Sequence, residues 1–454
     1  MGPRITIIGG GSYQWVPKLL IDLVNTPVLH DAELVLEDLD PRPLPKMVAL
    51  VEHLAAVRGI GLTARATTEQ RDALAGADFV IVNLSTGGFE SMRLDLEIPA
   101  RYGIRHSVGD SVGPAGISRA LRNIPVFAGI AADMEELCPD AWMLNLTNPM
   151  TTICRAVTKA SSIRTLGLCH EVTVTQFMLS LLLDRSFLEI TPTVAGVNHL
   201  PIITALDVGG EDGLGLLAEL LDDDARAAEP LPDDFPGREE IAGDGVRTRG
   251  DLLARHRVKL ELFRRFGVLP AAGDRHLVEF FAGFLTEASG WGERWGVRLT
   301  TIEDREASQA HYVDELDELL TAPSVTDMPS GEMVAPVIMC LLENLPGWFP
   351  LNIPNAAQVA DVPPGPVVES MCVVDGDGVR GRDVVEVPTV LAETLRRVST
   401  AQELTVDAGL TGSRDGVLDA MLVDPLASRL DYDAVQKLTD ELLAATKRWL
   451  PQFA

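Results

Sequence analysis

The opening of the chain constrains its fold most. Residues Arg4-Ile5-Thr6-Ile7-Ile8 form a β-branched run that breaks into Gly9-Gly10-Gly11-Ser12, followed by an amphipathic segment from Val16 to Val24. This reads as strand, tight glycine turn and helix. The glycines let backbone approach a pyrophosphate, which then rests on the free N–H groups at the positive end of the helix. Gln14 stands where the third glycine of the fingerprint belongs, so the turn alone is a weak signal. It gains weight from Glu33-Leu34-Val35-Leu36-Glu37-Asp38-Leu39-Asp40, a second strand ending in acids where an NAD-selective site needs a carboxylate for the ribose hydroxyls. Asp38 is the candidate. Its charge favours NAD over the 2′-phosphorylated cofactor.

Strand and helix then alternate. A helix is expected around Pro45 to Val57, with strands near Leu62 to Ala64, Asp78 to Leu84, Ala141 to Leu146 and Arg164 to Leu168. Such alternation implies an α/β fold with a doubly wound parallel sheet, whose ligands gather at the C-terminal ends of the strands. Three polar clusters fall there: Asn83-Leu84-Ser85-Thr86, Asn145-Leu146-Thr147-Asn148-Pro149 and Cys169-His170-Glu171. Asn83 and Ser85 therefore join Gly9, Gly10, Gly11, Ser12 and Asp38 as cofactor candidates. After about residue 200 the pattern changes. Glu211 to Pro236 reads as an acidic surface excursion, and residues 250 to 267 as a basic helix with a solvated charged face. Val367 to Val374 and Val384 to Val390 read as strands of a second, antiparallel sheet, with helices closing the chain at Ala401 to Ala408 and Tyr432 to Trp449. The expected division is a dinucleotide-binding domain over residues 1–200 and an α+β substrate and oligomerisation domain over 201–454.

The formal net charge of −28 opposes nucleic-acid binding, which needs clustered Lys and Arg. Five scattered cysteines without a CxxC pair fit a reducing compartment. With an N-terminus that runs straight into a strand and no apolar stretch long enough to span a bilayer, the expectation is a cytoplasmic protein with no membrane partner.

The apolar run Thr165-Leu166-Gly167-Leu168 ends in Cys169-His170-Glu171-Val172, with an echo at Gly196-Val197-Asn198-His199. A buried strand can deliver a thiolate, an imidazole and a carboxylate to one point in this way. The same residues also fit a buried structural cysteine beside a hydrogen-bonded histidine. Together with Gly9 to Ser12, Ser107-Val108-Gly109-Asp110-Ser111-Val112-Gly113-Pro114, Arg119-Ala120-Leu121-Arg122, Asn145 to Pro149, Pro270-Ala271-Ala272-Gly273-Asp274-Arg275-His276 and Asn352-Ile353-Pro354-Asn355, these motifs resemble glycoside hydrolase family 4 over nearly the whole chain. That family is an exception to two-carboxylate glycosidase chemistry.

The resemblance implies a Rossmann-type domain followed by a part like that of lactate and malate dehydrogenases, a small-molecule glycoside substrate, and the cofactors NAD and a divalent metal, usually manganese. It implies transient oxidation at sugar C3, removal of the C2 proton, elimination at C1, water addition and return of the hydride. By resemblance Cys169 and His199 are metal ligands, Asp274 is the C2 base and Asn148 binds substrate. His170 is nominated as the general acid, with Asp110 or Glu171 as alternates; Arg119 and Arg122 either position cofactor or carboxylates or form structural salt bridges. The Cys-His-Glu-Val motif and the Ala-Ala-Gly-Asp-Arg-His loop resemble the α-galacturonidase branch, whereas branches acting on 6-phosphosugars carry Cys-Asp or Cys-Asn. Arg275 with His276 would then meet a C6 carboxylate, and Glu171 is a further substrate contact. A sulfonate, as in sulfoquinovose, satisfies the same logic; a neutral α-glucoside or α-galactoside is a further alternative. A 2-hydroxy acid dehydrogenase of the lactate or malate type is the rival from another class. Family members are commonly dimers or tetramers, so a homodimer or homotetramer is expected.

Overall fold

The computed structural model describes residues 2–232, 243, 245–328 and 330–454. Its frame is a 13-stranded sheet. The parallel half runs β3 (Thr63–Thr67), β2 (Glu33–Glu37), β1 (Arg4–Ile8), β4 (Phe79–Val82), β5 (Trp142–Asn145) and β6 (Arg164–Leu168). These strands are short apolar runs because both faces are covered, as a parallel sheet requires. Ile5, Ile7, Leu34 and Leu36 pack with Leu19 and Leu23 of the Val16–Val24 helix on one face. Ile8, Val35, Val80 and Val82 meet Phe127, Ile130 and Met134 of the Gly113–Leu137 helix on the other. The alternation of side chains along each strand sorts the residues between the two cores.

Beyond β6 the sheet continues with its direction reversed. β11 (Gly347–Pro354) pairs antiparallel with β6, β12 (Val367–Asp375) with β11, β7 (Ile190–Val197) with β12, β8 (Leu200–Val208) with β7, and β10 (Leu269–Pro270) with β8. The two-stranded edges are β9 (Glu211–Asp212) on β8 and β13 (Gly378–Gly381) on β12. The expected second sheet is therefore an extension of the first. One row across this junction reads Gly196, Glu369, Asn352, Gly167.

Four further expectations are corrected. Val384 to Val390 is not a strand: only Val385 bridges, to Val359, and Pro388 caps the Thr389–Thr411 helix, where its missing N–H costs no ladder bond. That helix contains the Ala401 to Ala408 segment. The basic stretch from 250 to 267 is two helices, Arg249–Ala254 and Arg257–Phe266, and Lys259 is buried rather than solvated. Within Glu211 to Pro236, Leu217 and Leu220 of the Gly213–Leu221 helix are buried against Leu206 and Val208, so this segment docks on β8; residues 233–236 lie outside the described residues. Among the described residues no helix is long and apolar enough to cross a membrane.

Candidate active site

At the end of β1 the backbone turns at Gly9 (φ 84°), whose amide and that of Gly10 donate to the Glu37 carbonyl at 2.9 and 2.7 Å. A Cβ on Gly9 would stand 1.8 Å from the Asn83 carbonyl oxygen, so only glycine fits. The Gly11 amide donates to Asp38 Oδ2 at 3.0 Å, and the Asp40 amide donates to Asp38 Oδ1 at 2.9 Å. Asp38 is thus fixed over the glycine turn, where a ribose would lie beside a pyrophosphate. Ser12 Oγ accepts from the Trp15 amide at 3.3 Å. Asn83 is held by its amide on the Ile8 carbonyl at 2.9 Å, and its buried Nδ2 has no partner; Ser85 is exposed beside it. A side-chain-free cradle and an unsatisfied donor at one edge fit a dinucleotide.

Past the C-terminal ends of β5 and β6 lies a cavity of about 720 Å³. Asp110, Asn148, Cys169, His170, Glu171, His199, Asp274, Arg275 and His276 all line it. They come from five places in the chain. Asp110 precedes the Gly113–Leu137 helix, Asn148 follows β5, and Cys169 follows β6. His170 and Glu171 open the Glu171–Leu183 helix, His199 sits in the β7–β8 turn, and Asp274 to His276 begin the Asp274–Phe280 helix. The turn is held tight: Val197 pairs with Leu200, leaving two residues for it, and His199 takes φ 64°. A histidine in this left-handed region stores roughly 1 to 3 kcal/mol of strain, the kind of outlier that clusters at functional sites.

His199 Nδ1 lies 2.6 Å from Ser111 Oγ and 3.6 Å from Asp110 Oδ1, while the His199 and His276 rings stack at 3.6 Å. Asn148 Nδ2 donates to Asp110 Oδ2 at 3.2 Å. His276 Nε2 is 3.7 Å from Glu171 Oε1, and Glu171 Oε2 accepts from the Gly273 amide at 2.5 Å. Asp110, His199 and His276 each offer one donor atom, all within 4.8 Å of one another, a group able to hold a metal ion. The structure thus sets Asp110 and His276 beside His199, with Cys169 on the wall of the same cavity.

The electrostatics match that use. Burial pushes the Asp110 carboxyl up, but the close approach and charge of His199, then His276 and Arg119, hold it well below the usual range. Glu171 is likewise pushed up by burial and brought down to about 2, chiefly by His276 and His170. Burial and the neighbouring His199 take His276 down to about 4, leaving a neutral ring able to act as a ligand. The Cys169 thiol is held well up by burial and then by the charges of Glu369 and Glu171. Only a cation beside it would release that proton, because thiolate and metal bind together.

Asp274 is 9 % exposed, and its oxygens accept from the Val258 and Lys259 amides at 2.8 and 2.9 Å, capping the Arg257–Phe266 helix. Burial, larger than the effect of those bonds, raises its pKa. Arg119 does not line the cavity; its Nε donates to the Asn148 carbonyl at 3.0 Å and holds that loop from behind. Arg122 forms a buried two-armed ion pair with Asp95 at 2.8 and 2.6 Å.

Sequence reasoning missed several residues. Glu332 accepts from, or pairs with, His170 Nδ1 at 2.9 Å; burial pushes that histidine down, but the bond and charge of Glu332 together with the charge of Glu171 carry it up to about 9. Glu279 ties down the Asp110 loop, taking the Val108 and Gly109 amides at 2.8 and 3.0 Å. Arg298 and Arg305 line the cavity beside Arg275. Among the described residues neither Arg298 nor Arg305 makes a side-chain hydrogen bond or ion pair. Arg275 bonds only Ser107 and Thr300, and burial followed by the charges of Arg305 and Arg298 depresses its pKa.

Residues 4–184 match the family model described as "Family 4 glycosyl hydrolase", and residues 194–427 match its C-terminal domain. An alpha-galacturonidase of Bacillus subtilis is 32% identical over 449 residues, covering 97% of this chain and 96% of the relative. An alpha-galactosidase of the same organism is 30% identical, covering 99% of each. A crystal structure of a 6-phospho-alpha-glucosidase from gut microorganisms, in complex with NAD and Mn2+, superposes with TM-score 0.80 at 20% identity, covering 100% of both chains. The dehydrogenase alternative gives way to these full-length matches: with a Rossmann-type sheet leading into a histidine- and carboxylate-lined cavity, the chain belongs to glycosyl hydrolase family 4 and is a glycosidase.

Proposed function

We propose that this glycosidase cleaves α-glycosides whose sugar carries an anionic C6 group, of the α-galacturonide type, with NAD and a divalent ion, Mn2+ by analogy with the solved relative, as catalytic cofactors. One observation carries the substrate class. Arg275, Arg298 and Arg305 converge on the cavity without an acidic partner, in a chain whose net charge is −28. Three unpaired guanidinium groups repel one another unless an anion sits between them, and planar forks suit a carboxylate or sulfonate.

The glycine turn with Asp38 and Asn83 is the proposed cofactor seat; Cys169 and His199, with Asp110 and His276 within reach, are the proposed metal-binding residues. When bound, the nicotinamide exchanges a hydride with the sugar and the divalent ion draws electron density from its oxygens. Asp274 takes the C2 proton. A carboxylate has about four lone-pair sites, and the helix amides occupy two, so both oxygens keep one free. His170, held by Glu332, donates to the leaving oxygen; Asp110 and Glu171, held in their ionised forms, do not suit that role. Asn148 and Glu171 bind substrate hydroxyls. A homodimeric or homotetrameric cytoplasmic enzyme divided near residue 200 completes the reading.

A neutral α-galactoside is the second reading, favoured by the alpha-galactosidase relative. The test is kcat/KM on aryl α-galacturonide, α-sulfoquinovoside and α-galactoside for wild type and the Arg298→Ala and Arg305→Ala variants. Each variant is expected to lose about 10- to 100-fold on the anionic substrate it serves, the value of a charge-assisted hydrogen bond, and little on the galactoside. Equal losses on all three substrates, or a wild-type preference for the galactoside, would contradict the reading.

A further inference from the structure

Glu369, the third residue of β12, is fully buried, and burial lifts its pKa to about 7 against the charge of His199 and the nearby Asn352 and Asn198 side chains, although no hydrogen bond closes on either oxygen. No lysine or arginine pairs with it among the described residues. Its sheet neighbours in the row are Asn352 on one side and Gly196 on the other, with Gly167 beyond Asn352. Directly paired residues share a face, so Glu369 and Asn352 project together; a Cβ on Gly167 would stand 3.1 Å from the Asn352 Cβ, whereas Gly196 is needed for the close approach of the Leu200 backbone. Gly196 lies on the strand leading to Asn198 and His199; Gly167 lies on the strand leading to Cys169. The side-chain amides of Asn352 and Asn198 are buried, and all four of their nitrogen and oxygen atoms lack partners. The charge of Glu369 acts on both Cys169 and His199.

A carboxylate buried with no lysine, arginine or closed hydrogen bond, and only the shared charge of His199 near it, is costly, and two unsatisfied amides beside it add to the cost. Packing alone would favour apolar residues here, as at Val367 and Val368 in the same strand. The group makes sense if a positive charge completes it.

We propose that Glu369, framed by Asn198 and Asn352, is a positioning residue for the metal-binding end of the cavity, supplying from behind Cys169 and His199 the negative charge that a divalent cation requires. The inference rests on the reading of that cavity as a metal site.

The test measures Mn2+ binding to the full-length protein by electron paramagnetic resonance, with NAD binding by calorimetry and thermal melting of the metal-free protein. Glu369→Gln is expected to weaken Mn2+ about 10- to 100-fold, the usual cost of losing a supporting group, while NAD affinity is unchanged and the metal-free protein melts no lower than wild type. Unchanged Mn2+ affinity, or a parallel loss of NAD affinity, overturns the proposal. If Glu369→Gln does not fold, Glu369→Asp withdraws the same charge by one methylene, and unchanged Mn2+ affinity in that variant overturns it equally. Absence of Mn2+ binding in wild type would instead refute the metal reading of the cavity itself.

Discussion

A His199→Asn variant is expected to fold like wild type and to lose Mn2+ affinity by more than the ~100-fold that removing a supporting group costs. Asparagine is the informative replacement because it tolerates the left-handed conformation that His199 adopts at φ 64°, so the two-residue turn survives while the imidazole goes. Its stacking partner His276 and the Asp110 carboxylate remain, which leaves an incomplete donor set. Turnover should fall on the order of 10³-fold, since Lewis-acid stabilisation is worth several kcal/mol. Cys169→Ala should do the same with little change in melting temperature, because alanine removes only one buried sulfur atom from the cavity wall. Melting curves, Mn2+ titration and kcat check both variants. Wild-type Mn2+ affinity in both would remove these residues from the metal site.

The second large effect concerns Asp274. Replacing it with Asn leaves a single oxygen for two backbone amides, so one of the Val258 and Lys259 N–H groups loses its acceptor and the Arg257–Phe266 helix start weakens by about 1 to 3 kcal/mol. That is a stability loss, visible as a lower melting temperature. The catalytic loss should be larger and separate: kcat about 10³-fold lower at a temperature where the variant is fully folded, as for removal of a general base. Solvent deuterium should also cease to enter C2 of the released sugar. Activity within about 10-fold of wild type, with exchange intact, would leave Asp274 as a helix cap alone.

What the sequence made legible follows from which forces act locally. The parallel half was readable because each buried strand is a short apolar run closed by its own turn, and Gly9 to Ser12 with Asp38 announces its ligand-binding edge. The reversed half was not. Pairing of β11 with β6 and of β12 with β7 joins residues far apart in sequence, and nothing within Asn352 or Glu369 names the partner strand. Lys259 was misread because its neighbours Arg257, Arg264 and Arg265 carry an ordinary charged pattern, whereas its ammonium is tied inward to Thr175 and Ala271. In the cavity, Asn148 and Cys169-His170-Glu171 are legible as polar clusters at strand ends, whereas Asp110 and Asp274 to His276 are legible through the family resemblance. Arg298 and Arg305 sit in Gly296-Val297-Arg298 and Asp304-Arg305-Glu306, which look like surface charge, and only the fold turns them toward Arg275. Glu369 did leave a trace: a lone acid in the apolar run Val367-Val368-Glu369 is the signature of a buried carboxylate that needs a reason.

The proposed cycling of the nicotinamide without net oxidation of the substrate is tested most directly by following aglycone release and nicotinamide absorbance together, with wild-type protein, NAD, Mn2+ and an aryl α-galacturonide. Many aglycones should be released per enzyme with no accumulating NADH, and none when NAD or Mn2+ is omitted. NADH rising in step with substrate consumed would contradict that cycling.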